Sequence, residues 1–426
     1  MAVDAAIAGG YQKKTSLGRV LLAATIGNVL EWFDFLVYGY FAVTIAQVFF
    51  PVANPTVSLL ITFAAFGLSY VVRPLGAIFI GAYTDKRGRK AGLTLSIALM
   101  MVGTILMCVT PSFATIGLAA PVIITGARLL QGFSVGGEFG SAVAFLVEHG
   151  SDRKGYAASW QWASTGIISV IVALFGIAVT TTLSHDQIVE WGWRVPYFFG
   201  LLVGPAGLYI RSKMEETPAY LGSRREKAPV RELLRDHPRA VVLAMGAAVI
   251  SNSSYYLLLY IPTYGIKQLH LSAATGFIAT LVGGVFLAVF SPIAGYISDG
   301  TARTRLMKIT GWLFLLTSYP VFWIMHSWPS LATAMLAVGW LNLIKAGYSG
   351  ILPSLLSEQF PVDTRAVGVA FSYSVSVTIF GGFAPLVATW LIASTGDPLS
   401  PAYYLMFSAL LSLIALAVIS RRPAVQ

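Results

Sequence analysis

Charged residues are scarce in this sequence, and their scarcity excludes most water-soluble proteins. Asp, Glu, Lys and Arg make up 11% of the 426 residues, whereas soluble domains contain about 25%. The mean hydropathy is +0.75, and many apolar runs are long enough to cross a bilayer as a helix. The composition therefore predicts a polytopic α-helical membrane protein. A β-barrel would instead alternate polar and apolar residues over about ten positions.

Motifs of soluble enzymes are also missing. The sequence contains no GxxxxGK[ST] loop, so nothing in it indicates transport driven by ATP. It contains no HExxH, and its five histidines lie in or near loops, which argues against a metal site. The one cysteine, Cys108, excludes an internal disulfide. We therefore expect a protein that is not an enzyme and that binds no cofactor or metal.

Twelve apolar segments predict twelve transmembrane helices. Several exceed the ~20 residues that a crossing requires, which indicates that they are tilted. The predicted spans are residues 18–49, 57–82, 91–110, 118–147, 157–183, 193–211, 239–265, 273–298, 307–327, 330–357, 366–394 and 400–420.

Lys and Arg are distributed unevenly between the loops that join these spans. If both termini are cytoplasmic, 23 of them lie on the cytoplasmic side and two, Arg194 and Lys267, lie on the opposite side. The positive-inside rule therefore predicts cytoplasmic termini. The net charge of +10 then reflects topology and anionic lipid headgroups, and we expect no nucleic-acid partner.

The longest polar loop divides the chain into two halves. We predict a cytoplasmic tail (1–17), an N-terminal six-helix half (18–211), a central cytoplasmic loop (212–238), a C-terminal six-helix half (239–420) and a second tail (421–426). The Gly-x3-Asp pattern that ends at Asp85 returns at Asp299, 214 residues later. Parallel six-helix repeats with a substrate site at their interface are typical of transporters.

One loop and four further segments resemble a known family. GAYTDKRGRK (81–90) resembles the loop 2–3 motif of the major facilitator superfamily. The segments GNVLEWFDFLVYGY (27–40), RPLGA (73–77), RLLQGFSVGGEFG (128–140) and EWGWRVPYF (190–198) resemble its metabolite:H+ symporters. Those include α-ketoglutarate, citrate/tricarballylate, shikimate and proline/betaine permeases. The resemblance implies proton-coupled uptake of a small metabolite by alternating access, in the bacterial plasma (inner) membrane.

Charged residues inside the spans are candidates for proton coupling, because each costs at least a few kcal/mol unless it is paired or hydrated. Depth along each helix predicts an outer pair, Asp34 with Arg128, and an inner cluster of Glu31, Arg73 and Glu138. Burial favours a protonated carboxyl group and a nearby guanidinium favours the carboxylate. We therefore expect Asp34, Glu31 or Glu138 to carry the coupling proton, with Asp34 preferred. The alternative is a permanent ion pair that only fixes helix packing.

Three intramembrane cations, Arg73, Arg128 and Lys345, are candidates for binding an anionic substrate. An arginine can hold a carboxylate through two hydrogen bonds. Lys345 lies in a half whose spans contain no acidic residue except Glu358 at a boundary, and a substrate carboxylate would neutralise it. The alternatives are that Glu138 neutralises Arg73, and that Lys345 pairs across the cavity with Glu31 or Asp34.

Polar and aromatic residues on the same helix faces complete the predicted substrate site, although each aromatic is more often a packing residue. They are Asn28, Tyr38, Gln131, Gln161, Asn252, Tyr256, Tyr260 and Tyr373. The other face of span four carries Gly132, Gly136 and Gly140, a spacing that favours close helix contact. A predicted cytoplasmic gate contains Asp85, Arg89, Glu148, Arg153, Asp299 and Arg365.

Together these features predict a monomeric proton symporter that imports a small carboxylate. Three intramembrane cations favour a di- or tricarboxylate such as citrate or α-ketoglutarate. The alternative is symport of a compatible solute (proline or betaine) or of shikimate. A drug exporter is disfavoured, because cationic substrates would not suit Lys345, and a membrane sensor is a weaker alternative.

Overall fold

The structure is a computed structural model that describes residues 17–87, 89–136, 142–143, 146–147, 153–212, 229–361 and 364–421. Within these ranges every regular element is a helix, as the sequence predicts. Each of the twelve predicted spans contains helix in its described part. Most of the tail 1–17 and of the tail 421–426 lies outside the described residues, as do Gly88 of the loop motif and much of the central loop.

The described residues between 17 and 212, called the N-terminal half below, contain ten α-helices with defined bounds. They are α1 (Leu17–Tyr40), α2 (Ala42–Phe49), α3 (Pro55–Val71), α4 (Arg73–Arg87), α5 (Arg89–Val109), α6 (Phe113–Ile116), α7 (Ala119–Ser134), α8 (Lys154–Thr182), α9 (His185–Glu190) and α10 (Val195–Ser212). A 3-10 turn, Gly192–Arg194, precedes α10.

The central loop and the C-terminal half contribute ten more. They are α11 (Pro229–Asp236), α12 (Pro238–Leu259), α13 (Ile261–Lys267), α14 (Ala273–Asp299), α15 (Arg303–Ser327), α16 (Leu331–Ser349), α17 (Leu352–Glu358), α18 (Arg365–Ser376), α19 (Ala384–Thr395) and α20 (Ser400–Ile419). A π-helical stretch, Val377–Gly382, joins α18 to α19.

Eight helical stretches of the described residues are long and apolar enough to cross a membrane. They are Pro55–Ile80, Lys154–Thr182, Pro238–Leu259, Ala273–Asp299, Arg303–Ser327, Leu331–Glu358, Arg365–Thr395 and Ser400–Ile419. A ninth crossing forms if the pair Trp32–Tyr40 and Ala42–Phe49, bent by 75°, is one span. The break falls at Phe41, whose φ of −96° and ψ of 17° leave the helical region, so the single predicted span 18–49 is two helices.

Short polar loops set where several helices begin. The Asn54 side chain accepts hydrogen bonds from the backbone N–H groups of Thr56 and Val57, and Pro55 occupies the first turn of α3. Ser272 accepts a hydrogen bond from Thr275 at the start of α14. These caps satisfy N–H groups that have no partner within the helix, and they hold the connecting loops short.

The two halves meet through glycines on α8 and α14. A Cβ on Gly166 would collide with the backbone nitrogen of Ala288 and would lie 2.7 Å from the carbonyl oxygen of Gly284. Nearer the other end of α14, a Cβ on Gly295 would lie 2.5 Å from the carbonyl oxygen of Gly155. The backbones of the two helices therefore touch along much of their length, a contact that small residues permit.

Span four packs on span two through two glycines of its predicted small-residue face, and the third, Gly140, lies outside the described residues. A Cβ on Gly132 would collide with the carbonyl oxygen of Ser69, and one on Gly136 would collide with that of Arg73. The predicted small-residue face is thus confirmed for these two glycines. The close contact brings the start of α4, and with it Arg73, against α7.

We expect Gly166→Ala to destabilise the protein by about 1–3 kcal/mol, because the new methyl group meets backbone atoms that cannot turn aside. The measurement is the thermal unfolding midpoint of the purified protein in detergent. Gly126→Ala is the matched control, since a Cβ there meets no atom within 4 Å and Ala is the better helix former. Equal midpoints for the Gly166 variant and the wild type would contradict the close packing of the halves.

Candidate functional site

Asp34 lies in a buried hydrogen-bond cluster between three helices of the N-terminal half. Its side chain on α1 is 3% exposed. The hydroxyl of Thr104 on α5 donates to Asp34 Oδ2, and Gln131 Nε2 on α7 donates to the same oxygen at 3.0 Å. Asp34 Oδ1 is buried without a hydrogen-bond partner. The carboxyl group is thus withdrawn from water and held by neutral donors.

Arg128 belongs to the same cluster. The sequence predicts a direct pair between Arg128 and Asp34, but the two side chains do not form one. Arg128 Nη1 donates to Gln131 Oε1 at 2.7 Å, so one amide group separates the two charges. The guanidinium is fully buried and lies 4.4 Å from the ring centroid of Phe35 and 4.5 Å from that of Tyr38. Its Nε and Nη2 atoms have no hydrogen-bond partner.

Arg73 is also buried among aromatic rings. Its guanidinium carbon lies 4.0 Å from the ring centroid of Tyr70, 4.8 Å from that of Trp32 and 4.9 Å from that of Phe35. Two of its nitrogens, Nε and Nη2, are buried and lack a hydrogen-bond partner. The predicted partners Glu31 and Glu138 have side chains that lie outside the described residues.

Lys345 on α16 contacts both halves of the protein. Its fully buried ammonium donates to the carbonyl oxygen of Ser251 at 2.9 Å and to the hydroxyl of Ser349 at 3.3 Å. It also lies 3.9 Å from the ring centroid of Trp162, which α8 of the other half contributes. Among the described residues, no carboxylate lies within 4.0 Å of Lys345, Arg128 or Arg73.

Aromatic rings connect the three cations. Phe35 lies beneath both Arg73 and Arg128. The Tyr70 ring lies 5.1 Å from that of Tyr256, which lies 5.0 Å from Tyr255, and Tyr255 in turn lies 5.6 Å from Trp162. The row of rings therefore runs from the arginines of the N-terminal half to the lysine of the C-terminal half.

A small pocket opens between the halves beside this row of rings. It is lined by Trp32, Gln161, Trp162, Thr165, Tyr255 and Tyr373. Two polar groups that line it, the Trp162 indole N–H and the Tyr255 hydroxyl, are buried without a hydrogen-bond partner. A buried polar group without a partner is unfavourable, so a small ligand with several acceptors would stabilise this site.

The asparagines that repeat between the halves make equivalent contacts. Asn28 donates to Ser164 Oγ at 2.6 Å and accepts from Gln161 Nε2 at 2.9 Å, which joins α1 to α8. Asn252 donates to Ser376 Oγ at 3.2 Å, which joins α12 to α18. Each asparagine therefore connects the first predicted span of its half to the fifth predicted span. Their roles as substrate ligands stay predictions.

The remaining predicted substrate residues are buried near the helix interfaces. The Tyr38 hydroxyl donates to the carbonyl oxygen of Thr62 at 3.0 Å. Tyr260 packs edge-on against Phe63 across the halves, with ring centroids 5.6 Å apart. Tyr373 lines the pocket. The first of these hydroxyls is engaged within its own half, whereas Tyr373 lies where a ligand would bind.

Asp299, a predicted gate residue, joins the halves at the end of the bundle where α8 begins. Its two carboxylate oxygens accept from the backbone N–H groups of Gly155 at 2.7 Å and Tyr156 at 3.0 Å. An acidic residue of one half thereby caps a helix of the other and meets the positive end of its dipole. Arg303 donates to Asp299 at 2.9 Å and also pairs with Glu358, which holds the carboxylate in place.

The other predicted gate residues are divided between contacts within and across the halves. Arg153 lies over the ring of Tyr296 in the opposite half, 4.5 Å from its centroid. Arg365 donates to the carbonyl oxygen of Ser357 in its own half at 2.9 Å. Glu148 and the side chains of Asp85 and Arg89 lie outside the described residues.

The halves also touch at the opposite end of the bundle. Phe277 on α14 packs against Phe41 and Tyr40 of the N-terminal half, with ring centroids 5.2 Å and 6.3 Å apart. Contacts between the halves thus lie on both sides of the central pocket.

Three contributors to the site are absent from the sequence-based predictions. Thr104 lies in an apolar helix, where threonine usually bonds only the backbone of the preceding turn, so nothing in the sequence distinguishes it. Ser251 and Ser349 hold Lys345, and their hydroxyls lie 2.7 Å apart. Their positions on facing helices become apparent only once the helices are packed.

Comparison with known proteins agrees with this architecture. The family model described as Major Facilitator Superfamily matches residues 24–372. The Citrate-proton symporter of Salmonella typhi is 38% identical over 404 residues, which cover 94% of this chain and 93% of the relative. The Proline/betaine transporter of Salmonella typhimurium is 35% identical over 418 residues, which cover 93% and 82%.

Solved structures show the same fold. The crystal structure of D-xylose-proton symporter superposes with a TM-score of 0.75 and covers 93% of this chain and 97% of its own. The two sequences are 16% identical, so this likeness concerns the fold alone. The family model and the two relatives in sequence show that the chain belongs to the major facilitator superfamily.

Proposed function

We propose that this protein is a proton-coupled symporter that imports a small carboxylate, favouring a di- or tricarboxylate such as citrate or α-ketoglutarate. The observation that carries the proposal is the burial of Arg73, Arg128 and Lys345 along one row of aromatic rings, with no carboxylate of the described residues as partner. The similarity to citrate-proton symporters supports it. A substrate with two or three carboxylates would supply the missing negative charge.

The proposed topology has twelve crossings and both termini in the cytoplasm of a bacterium, with the bundle in the inner membrane and functional as a monomer. Helix in each of the twelve predicted segments supports the crossings. The distribution of 23 cationic residues against two between the faces supports the orientation. The pocket between the halves then lies within the bilayer, as in other transporters with repeated halves.

The donors around the pocket favour an acceptor-rich ligand. Arg73 carries two unused guanidinium nitrogens, and Trp162 carries an unused indole N–H. Among the described residues, Lys345 contacts neutral oxygens and aromatic faces. Carboxylates are acceptor-only groups when ionised and bind such donors through charge-assisted hydrogen bonds.

Symport of proline or betaine is the second candidate. Aromatic rings line the pocket, and aromatic faces attract quaternary ammonium groups. A proline/betaine transporter is also among the relatives. However, the Lys345 ammonium already lies over Trp162 and would repel a second cation there, which is why a carboxylate is favoured.

Asp34 is the preferred carrier of the coupling proton, and Glu31 and Glu138 remain candidates. Asp34 is buried, has neutral hydrogen-bond donors and lies one amide group from Arg128. A carboxyl group in such a place can hold either charge state, because burial favours the acid and the donors favour the carboxylate. Proton uptake at Asp34 would then change how strongly the cluster holds Arg128.

Transport is proposed to proceed by rocking of the halves around the pocket. Contacts at both ends of the bundle support assignment of this structure to a closed, occluded state. Asp299 would release α8 when the cytoplasmic side opens, and Asp85 would do the same for α18 by the repeat of the two halves. Substrate and proton then shift the population between states that differ in these contacts.

Proteoliposomes that contain the purified protein test the function directly. With an inward proton gradient, we expect accumulation of citrate or α-ketoglutarate and not of proline, betaine or shikimate. Asp34→Asn should abolish accumulation of the substrate against its own concentration gradient, since an amide cannot bind and release a proton. Counterflow exchange of substrate should remain. Asp186→Asn, on an exposed helix outside the pocket, is the control. Full accumulation by the Asp34 variant would show that another group carries the proton.

Lys345→Ala should raise the KM for a tricarboxylate or dicarboxylate by about 10–100-fold, the effect of losing a hydrogen bond to a charged group. The KM for a monocarboxylate should change less, since Arg73 and Arg128 remain to bind one group. Lys267→Ala, in a loop-proximal helix end, is the control. Equal losses for all substrates would remove Lys345 from the substrate site.

Asp299→Asn should slow transport several-fold and leave the order of substrate preference unchanged, because it weakens a contact between the halves and not one with substrate. The measurement is the initial uptake rate for two substrates at saturation. Asp397→Asn is the matched control, since Asp397 also caps backbone N–H, that of Leu399 at 2.8 Å, but within its own half. A changed preference would contradict the gate assignment.

A further inference from the structure

The hydroxyl of Thr104 lies between two acceptors. It donates to Asp34 Oδ2, and the carbonyl oxygen of Met100, one turn earlier on α5, lies 3.0 Å from the same Oγ1. A hydroxyl has one proton to donate and two lone pairs that accept. It can therefore satisfy only one of these acceptors at a time, and it can itself accept a hydrogen bond when it turns to the other.

Gln131 has no such freedom. Its Oε1 accepts from Arg128, which fixes the orientation of the amide, so that Nε2 can only donate to Asp34 Oδ2. Nε2 also lies 3.3 Å from Thr104 Oγ1. Of the two residues that hydrogen-bond Asp34 among the described side chains, only Thr104 can accept a hydrogen bond from its protonated form.

Other charged or titratable side chains surround Asp34 without hydrogen-bonding it in the described part of the chain. Arg128 from α7, Cys108 from α5 and Tyr197 from α10 interact electrostatically with it. Tyr38 on its own helix interacts with Arg128, and the Glu31 side chain lies outside the described residues. The buried Tyr197 hydroxyl has no hydrogen-bond partner. Among the described residues, the hydrogen bonds of the carboxyl group are thus limited to those with Thr104 and Gln131.

We propose that Thr104 is a positioning residue for proton coupling, whose hydroxyl reverses its hydrogen bond with Asp34 when the proton binds. With Asp34 ionised, Thr104 donates to Oδ2. With a proton from the aqueous phase on Oδ2, the carboxyl group donates to Thr104 Oγ1, and the Thr104 hydroxyl turns to the carbonyl oxygen of Met100. The buried Oδ2 atom keeps Thr104 as a partner in both charge states, so the proton that binds there has an acceptor and avoids the penalty of an unsatisfied buried donor. The inference rests on the proposed function, in which Asp34 carries the proton.

Thr104→Val tests the inference, because valine keeps the shape of threonine and lacks the hydroxyl. Thr104→Ser keeps the hydroxyl. Thr110→Val is the matched control, since Thr110 also donates to a carbonyl oxygen one turn earlier, that of Leu106, and is equally buried. The readout is the infrared difference spectrum between pH values of the purified protein. The carbonyl stretch of protonated Asp34 is identified by its loss in Asp34→Asn.

In Thr104→Val we expect this band to move to higher frequency, because the acid has lost its acceptor. We also expect the midpoint of its pH titration to rise by about 0.5–1 unit, since the carboxylate loses a charge-assisted bond and the acid loses a weaker neutral one. The pH midpoint of proton-driven citrate uptake should shift in the same direction. Thr104→Ser and Thr110→Val should retain the wild-type band and midpoints.

The inference is overturned if a folded Thr104→Val protein keeps the wild-type frequency of the Asp34 carbonyl stretch and the wild-type midpoint of its pH titration. It is also overturned if Thr104→Ser shows the shifts expected of Thr104→Val. If Thr104→Val does not fold, the serine variant still decides through the same band, which must remain at the wild-type position. If Asp34→Asn loses no carboxyl band and still accumulates substrate, the proposed function of Asp34 fails. If Asp34→Asn loses the carboxyl band and substrate accumulation, and Thr104→Val changes neither the band frequency nor the titration midpoint, only the role of Thr104 fails.

Discussion

Burial of three cations in one apolar bundle is the constraint on which the centre of this protein depends. Arg73, Arg128 and Lys345 are each at most 4% exposed, and a charge in such a place is unfavourable unless nearby groups compensate it. Among the described residues, the compensation comes from aromatic faces and neutral oxygens. The centre is accordingly built from Trp, Phe and Tyr side chains, although Leu and Val would fill a core equally well.

The choice of aromatic rings as partners has a functional advantage over carboxylates. A cation–π contact contributes about 0.5–2 kcal/mol, whereas breaking a buried ion pair costs about 3–5 kcal/mol. A cation held by rings can therefore turn to a substrate carboxylate at a small loss. Rings can also be shared, as Phe35 is by Arg73 and Arg128, so that a change at one arginine is felt at the other.

Sequence patterns predict the framework well and the contacts less well. Hydropathy and charge distribution predict helices throughout, and the glycine spacing of span four predicts a close helix contact, which Gly132 and Gly136 make with span two. Depth along a helix brings Asp34 and Arg128 to the same level. It does not give the rotation of each helix, and for that reason the Gln131 amide between the two charges could not be foreseen.

Contacts between the halves are the hardest to read from the sequence. Lys345 contacts Trp162 from the other half, and no local pattern records how the two halves are oriented. Asp299 accepts hydrogen bonds from backbone N–H groups of α8. Every residue except proline has such a group, so the residue types on α8 do not identify it as the partner of Asp299. Thr104 escapes notice because its contact with Asp34 depends on how α5 packs beside α1.

The location of these contacts constrains how substrate and proton can be coupled. Asp34, Thr104, Gln131 and Arg128 all belong to the N-terminal half, so the proposed rocking of the halves would leave their mutual contacts intact. Lys345 spans the two halves, so the same motion changes its surroundings. Coupling is a free energy shared between two sites, and here the sites have a physical link. Phe35, the neighbour of Asp34 on α1, lies under both arginines. A substrate carboxylate that draws Arg73 away would therefore change the surroundings of the ring that also contacts Arg128. Arg128 in turn is connected to Asp34 through the Gln131 amide.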